Sequence, residues 1–166
     1  MTALTQSVGR AAGIDRRLKI AIVILCILGI GDAGYLTYVH YEGLKVVCLS
    51  GGGGCETVQA SKYAKIGGLP VAVLGLAGYI GILGSLAIRG EMGRAISFAL
   101  ALVGFAFSMY LTYRELFTIH AICQWCVGSA VLMTLLTIIT LVRFLRAEDD
   151  HPPPRRSSRR GGTARA

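Results

Sequence analysis

Charge is what this chain has least of. Only 16% of its 166 residues are Asp, Glu, Lys or Arg, against 54% hydrophobic; the charges avoid three long stretches altogether and leave a fourth with Lys19 and Asp32 only. Stretches that long without charge exclude an ordinary soluble domain and define an integral membrane protein. Acidic residues are the scarcer sign, nine against seventeen basic, giving a net charge of +8. Such a surplus can signal nucleic-acid binding, but its placement says otherwise. Arg10, Arg16, Arg17, Lys19, Arg89, Arg94, Arg143, Arg146 and five tail arginines flank one end of the apolar runs; only Lys45, Lys62, Lys65 and Arg114 flank the other. Thirteen against four is a positive-inside pattern. It predicts a multi-pass protein of the cell inner (plasma) membrane whose basic surplus meets the lipid bilayer, not nucleic acid. Both termini are then cytoplasmic, and the loops face the periplasm or exterior. Also missing is a small-x-small cleavage site, and the first run is too long for a cleaved signal, so it is read as a resident helix.

What is there are four runs able to span a hydrocarbon core of ~30 Å as helices. They are Leu18 to Tyr38, Pro70 to Ile88, Ala95 to Tyr113 and Ala121 to Val142. The predicted fold is an all-α four-transmembrane-helix bundle. Residues 1–17 read as a loosely ordered cytoplasmic segment, 18–145 as the membrane domain and 146–166 as a disordered basic cytoplasmic tail. Asp32 lies about six residues inside the interfacial tyrosines of helix one, roughly 9 Å deep. A carboxylate there faces the bundle or a wet cavity and is a candidate for the site. The alternative is an aspartate that stays hydrated or bonded to a neighbouring helix.

The first outer loop, Tyr41 to Leu69, carries Cys48 and Cys55 around four consecutive glycines, a backbone free enough to let a thiol change partner. Glu56 to Lys65 predicts a short helix lying on the membrane surface, ended by Gly67-Gly68 and Pro70. Gly75, Gly78 and Gly81 mark a close-packing face on helix two. Tyr-Leu-Thr-Tyr ends helix one at Tyr35 to Tyr38 and helix three at Tyr110 to Tyr113, hinting at two related halves; a pair of interfacial tyrosines explains it nearly as well.

Cys123-Gln124-Trp125-Cys126 opens helix four. Thiols at i and i+3 share one face of a turn, and a helix N-terminus favours thiolate, so the pair reads as a redox device. The alternatives are half a zinc site or two small apolar residues. Cys48 and Cys55 tip the balance: a mobile pair and a fixed pair are what a stepwise thiol-disulfide relay needs. Cys126 lies a turn deeper than Cys123. Cys26, amid Ile, Leu and Val in helix one, reads as a buried hydrophobe.

Cys48 and Cys55, Ser61 six residues on, Gly68-Leu69-Pro70 before helix two, and Cys123-Gln-Trp-Cys126 together resemble the bacterial vitamin K epoxide reductase family, over about Ile20 to Leu145. The resemblance implies a four-helix bundle around a quinone, menaquinone or ubiquinone, capped by the first loop and its surface half-helix. It implies that Cys55 exchanges with the redox partner, that Cys48 shuttles to Cys123, and that Cys126 gives electrons to the quinone. Ser61 would lie near the quinone ring. Many relatives carry a fused thioredoxin-like domain; here there is only a cysteine-free tail, so the partner is expected to be a separate thioredoxin-fold protein of the DsbA type. The expected function is a quinone-linked thiol-disulfide oxidoreductase that supports disulfide formation in exported proteins, with no metal. A zinc-binding or structural membrane module using the four outer cysteines is the competing reading.

Overall fold

The computed structural model describes residues 2–48 and 54–149. Its elements are α1 (Thr2–Glu42), α2 (Gly54–Ala60), a 3-10 turn (Lys62–Ala64), strands β1 (Lys65–Ile66) and β2 (Leu69–Pro70), α3 (Val71–Ser85), α4 (Glu91–Arg114), a π-turn (Glu115–Ile119) and α5 (Gln124–Asp149). Gly13–Glu42, Glu91–Ile119 and Gln124–Arg146 are each long and apolar enough to cross a membrane. The fourth apolar helix, α3, has 15 residues and rises roughly 22 Å. Leu86, Ala87 and Ile88 lengthen it by donating their N–H groups to carbonyls three residues back.

Each long helix buries one stripe. On α1 the stripe is Ile22, Cys26, Gly29, Ala33, Leu36 and Val39, spaced three or four apart, while Ile20, Ile24, Ile27 and Leu28 stay exposed. That exposure is what a lipid-facing surface requires, because tails solvate Ile and Leu as well as the interior does. Association then rests on close contact and on polar pairs. Gly29 provides the contact: a Cβ there would run into the buried Tyr79 ring of α3. The Tyr79 hydroxyl pairs with the Ser129 hydroxyl of α5 at 2.8 Å. Ser85 and Ser97 pair across α3 and α4 at 2.5 Å, and Thr137 Oγ1 donates to the Ala101 carbonyl at 3.0 Å. Each such bond contributes about 1 kcal/mol in lipid. Cys26 is fully buried in this core, as its surroundings in sequence suggest.

The helices run further than their apolar runs. Residues 2–17 are helical, continuous with α1, rather than loose. Asp15 holds that end, with Lys19 Nζ at 3.2 Å one turn on and Arg143 Nε of α5 donating at 2.9 Å. The same contact and the stacking of Phe98 on Phe144, 5.8 Å between centroids, carry α5 past Val142. Residues 150–166, most of the expected tail, lie outside the described residues, as do the loop glycines at 51–53.

The surface helix is split. Ser61 is extended, with φ −68° and ψ 154°, because both its N–H and its hydroxyl bond to the Val58 carbonyl, at 3.1 and 2.7 Å, and so end the helix. After the 3-10 turn the chain makes a two-residue hairpin, Ile66 opposite Leu69, around Gly67 and Gly68 at φ +58° and +88°. Positive φ at both turn positions is the tight-hairpin conformation that Gly-Gly accepts without strain.

Gly29→Ala is expected to lose about 1–3 kcal/mol through overpacking against Tyr79. Thermal unfolding in detergent measures it, and adding Tyr79→Ala should recover part of the Gly29→Ala loss; additive effects would show that the two residues do not meet.

Candidate redox site

At one end of the bundle the loop lies down on the mouth of α5. Val46, Cys55 and Val58 of the loop, Leu36 and Val39 of α1, and Cys123 form one buried cluster, with Cys48, Trp125 and Cys126 packed against it. Three contacts set this placement. The Trp125 indole N–H donates to the Val47 carbonyl at 2.9 Å, and the Val47 N–H donates to the Tyr35 hydroxyl at 3.2 Å. The Tyr35 and Trp125 rings lie 4.8 Å apart, clamping the segment just before Cys48. On the other side of the glycines, Gly54 backs onto the chain before Cys123 so closely that a Cβ would stand 2.7 Å from the Ile122 carbonyl oxygen. Of the two expected tyrosine repeats, then, Tyr35 holds the loop, whereas Tyr110 accepts a bond from Arg114 Nε at 3.2 Å.

Cys48 and Cys55 form a disulfide, Cα to Cα 6.1 Å, while Cys123 and Cys126 are free thiols. Cys55 and Cys123 are fully buried, Cys48 and Cys126 half-buried. Cys123 immediately precedes α5, and its carbonyl accepts the Val127 N–H at 3.0 Å, the first bond of that helix. Cys126 is in the first turn. Its S–H lies within hydrogen-bonding reach of the Cys123 sulfur, and this contact holds the Cys123 thiol below the usual thiol range although burial works against it.

A residue not anticipated from sequence completes the group. Glu115 is buried; its Oε2 accepts the Cys123 N–H at 3.2 Å, and its side chain borders the same small space as Cys126. The π-turn turns it inward: the Glu115 carbonyl accepts N–H groups from both His120 and Ala121, and His120 closes the turn at φ +52°. Such one-turn π insertions recur at functional sites. The available signal was an acidic residue in a seven-residue connection leading to the cysteines.

Below the thiols is a cavity of about 380 Å³ with walls from all four long helices. Asp32, Gly75, Gly78, Val103, Phe107 and Cys126 are among its lining residues. Asp32 faces it as expected, and its Oδ2 is buried with no hydrogen-bond partner among the described residues. Ser61 lines instead a neighbouring space of about 40 Å³, with Glu115, Arg114 and Tyr63. Cys126 borders both spaces.

A model of the vitamin K epoxide reductase family matches residues 20–141. The chain belongs to that family. Family membership makes it a membrane oxidoreductase, and both cysteine pairs lie together at the mouth of the bundle.

Because the Cys126 S–H stabilises the Cys123 thiolate, Cys126→Ala should raise the pH midpoint of Cys123 alkylation in the reduced protein, whereas Cys126→Ser, which keeps an O–H donor, should leave it near the parent value. Peptide-mapped alkylation across pH reads both, and equal midpoints in the two variants would remove the contact from the account.

Proposed function

We propose that the protein reoxidises a separate secreted thioredoxin-fold, DsbA-like partner and passes the electrons to a membrane quinone, supporting disulfide formation in exported proteins. The observation that carries this reading is the line of sulfur: the loop disulfide packs into the cluster that holds Cys123, and Cys126, packed against the same cluster, borders the cavity. The membrane unit spans 18–145 with α3 as the fourth crossing, both termini are cytoplasmic, and the loop faces outward, in keeping with the basic residues clustered at the other end.

In this reading a partner thiolate attacks Cys55 and displaces Cys48, and Cys48 then attacks Cys123 of an oxidised Cys123–Cys126 pair, releasing Cys126. Disulfide exchange proceeds through such mixed disulfides. Cys55 is the more buried of the loop pair, so the start of α2 has to lift from Ile122 before a partner can reach it.

The cavity fits a quinone. Its volume falls in the range of about 300–1,000 Å³ usual for small-molecule sites, its walls are largely apolar, and an unpartnered carboxyl at Asp32 and the Cys126 side chain both line it. When bound, the quinone supplies an acceptor of two electrons and two protons at a potential above that of a strongly oxidising partner, about −120 mV. Asp32 Oδ2 would hold a proton at the cavity wall, and Ser61, back-bonded to Val58 one shell away, would support the wall through Gln59 and Val71, which border both spaces.

Purified full-length protein should carry quinone whose absorption changes with Cys123→Ser. Cys48→Ser should accumulate a covalent adduct between the partner and Cys55, mapped by peptide mass; partner attached to Cys123 instead would end the proposed order. Two disulfides with no metal are expected by non-reducing mass measurement, and one zinc with all thiols titratable would replace this reading with the metal module.

Asp32→Asn keeps the shape and removes the exchangeable proton, so it is expected to slow quinone reduction about ten- to a hundredfold and alter its pH profile with little loss of expression. Unchanged turnover at saturating quinone, with an unchanged profile, would return Asp32 to a purely structural role.

A further inference from the structure

The carboxyl of Glu115 holds the backbone N–H of Cys123 and shares a small space with Cys126, and nothing in the relay described above uses it. It is 4% exposed, on a π-turn whose hydrogen bonds fix its direction, with one oxygen on the Cys123 N–H at 3.2 Å and Cys126 bordering the same small space. A buried carboxyl needs partners, and one backbone N–H satisfies only part of its capacity. Bordering the same space is the one sulfur that must gain and lose a proton in every cycle.

We propose that Glu115 is the proton-exchange partner of the Cys126 thiol, the catalytic base when Cys126 attacks and the acid when it leaves. The assignment rests on the redox reading of the inner pair. Consider closure of that pair by a small disulfide RSSR. The Cys123 thiolate attacks one sulfur of RSSR, giving Cys123–S–S–R and releasing RS⁻. The Cys126 S–H bond then breaks, its proton forming an O–H bond on Glu115, while the Cys126 sulfur attacks Cys123 and expels the second RS⁻. Two electrons leave the dithiol and reduce one disulfide to two thiolates, and the carboxyl passes its proton outward. The space shared by Glu115, Cys126 and Ser61 gives that proton a polar exit beside the loop. In the opposite direction, protonated Glu115 supplies the proton to Cys126 as it is displaced by a loop thiol.

The neighbouring charged and titratable groups are Cys123 and Cys126, with Arg114 and Tyr63 across the small space. Arg114 is occupied above the rings of Tyr63 and Tyr110, at 4.8 and 5.2 Å, and points its charge there rather than at the thiols.

The test uses the full chain in detergent, freed of quinone and reduced, with closure driven by oxidised glutathione and followed by acid quenching and peptide mass mapping. Glu115→Gln retains an oxygen for the Cys123 N–H and removes the base. The expected result is a normal rate of glutathione capture on Cys123, with release of the second glutathione slowed at least about tenfold so that the mixed disulfide accumulates. Glu115→Asp should close at an intermediate rate, and added formate, small enough for the space beside Cys126, should restore part of the Glu115→Gln rate. Wild-type closure by the Gln variant overturns the proposal. Slowing confined to the capture step also overturns it, since that would place the effect on Cys123 through its N–H. If the Gln variant fails to fold, the Asp variant decides by the same two-step comparison. Neither measurement involves quinone, so failure of the quinone-linked function would show in turnover alone and leave this result to stand or fall by itself.

Discussion

The hydrogen bond from the Trp125 indole to the Val47 carbonyl is the contact on which the working end of the molecule depends. Trp125 lies inside the Cys-x-x-Cys turn, so the residue that separates the inner thiols is also the one that grips the outer loop. Through it, and through Tyr35 on the other side, the segment before Cys48 is held over α5 and the loop disulfide is brought into the same buried cluster as Cys123. Without that grip the two pairs are separated by 67 residues of chain between Cys55 and Cys123. Gly54 permits the second point of contact, against the Ile122 carbonyl, and so brings α2 down on the same site.

Beneath this lid the bundle is governed by what lipid does not supply. With no water to satisfy polar groups, serine and threonine hydroxyls pair across helices or with carbonyls, as Ser85 does with Ser97 and Thr137 with Ala101. Asp32 Oδ2 is the exception among the described residues, buried and unpartnered at the cavity wall. Among the described residues, a bundle that elsewhere satisfies such groups has left one free at the wall of the cavity next to Cys126, and that contrast gives the cavity its chemical character.

Much of this was legible in the chain itself. The apolar runs located the long helices because a span of lipid demands an uninterrupted apolar length, and cysteine spacing marked the two pairs that the fold brings into one cluster. Asp32 was legible because a carboxylate at that depth needs a reason. Less visible were features set by hydrogen-bond competition. The break at Ser61 depends on both its donors choosing one carbonyl, and the hairpin at Gly67-Gly68 on a turn only four residues from strand to strand. Glu115 was hidden for a related reason: periodicity assumes a regular helix, and the π-turn changes which side chain faces inward. The helix ends beyond Arg17 and Val142 were set by a tertiary contact, Asp15 with Arg143, that pairs residues 128 apart.

The clamp on Val47 has a consequence for how the loop can vary. Trp125 and Tyr35 both hold main-chain atoms, a carbonyl and an N–H, and the Val47 side chain itself points away and is 63% exposed. Recognition of this kind is blind to side-chain identity. Nineteen residue types present the same carbonyl and N–H, and proline alone lacks the N–H. The exposed side chain at this position can therefore change to almost any other without disturbing the contact that brings the two cysteine pairs together.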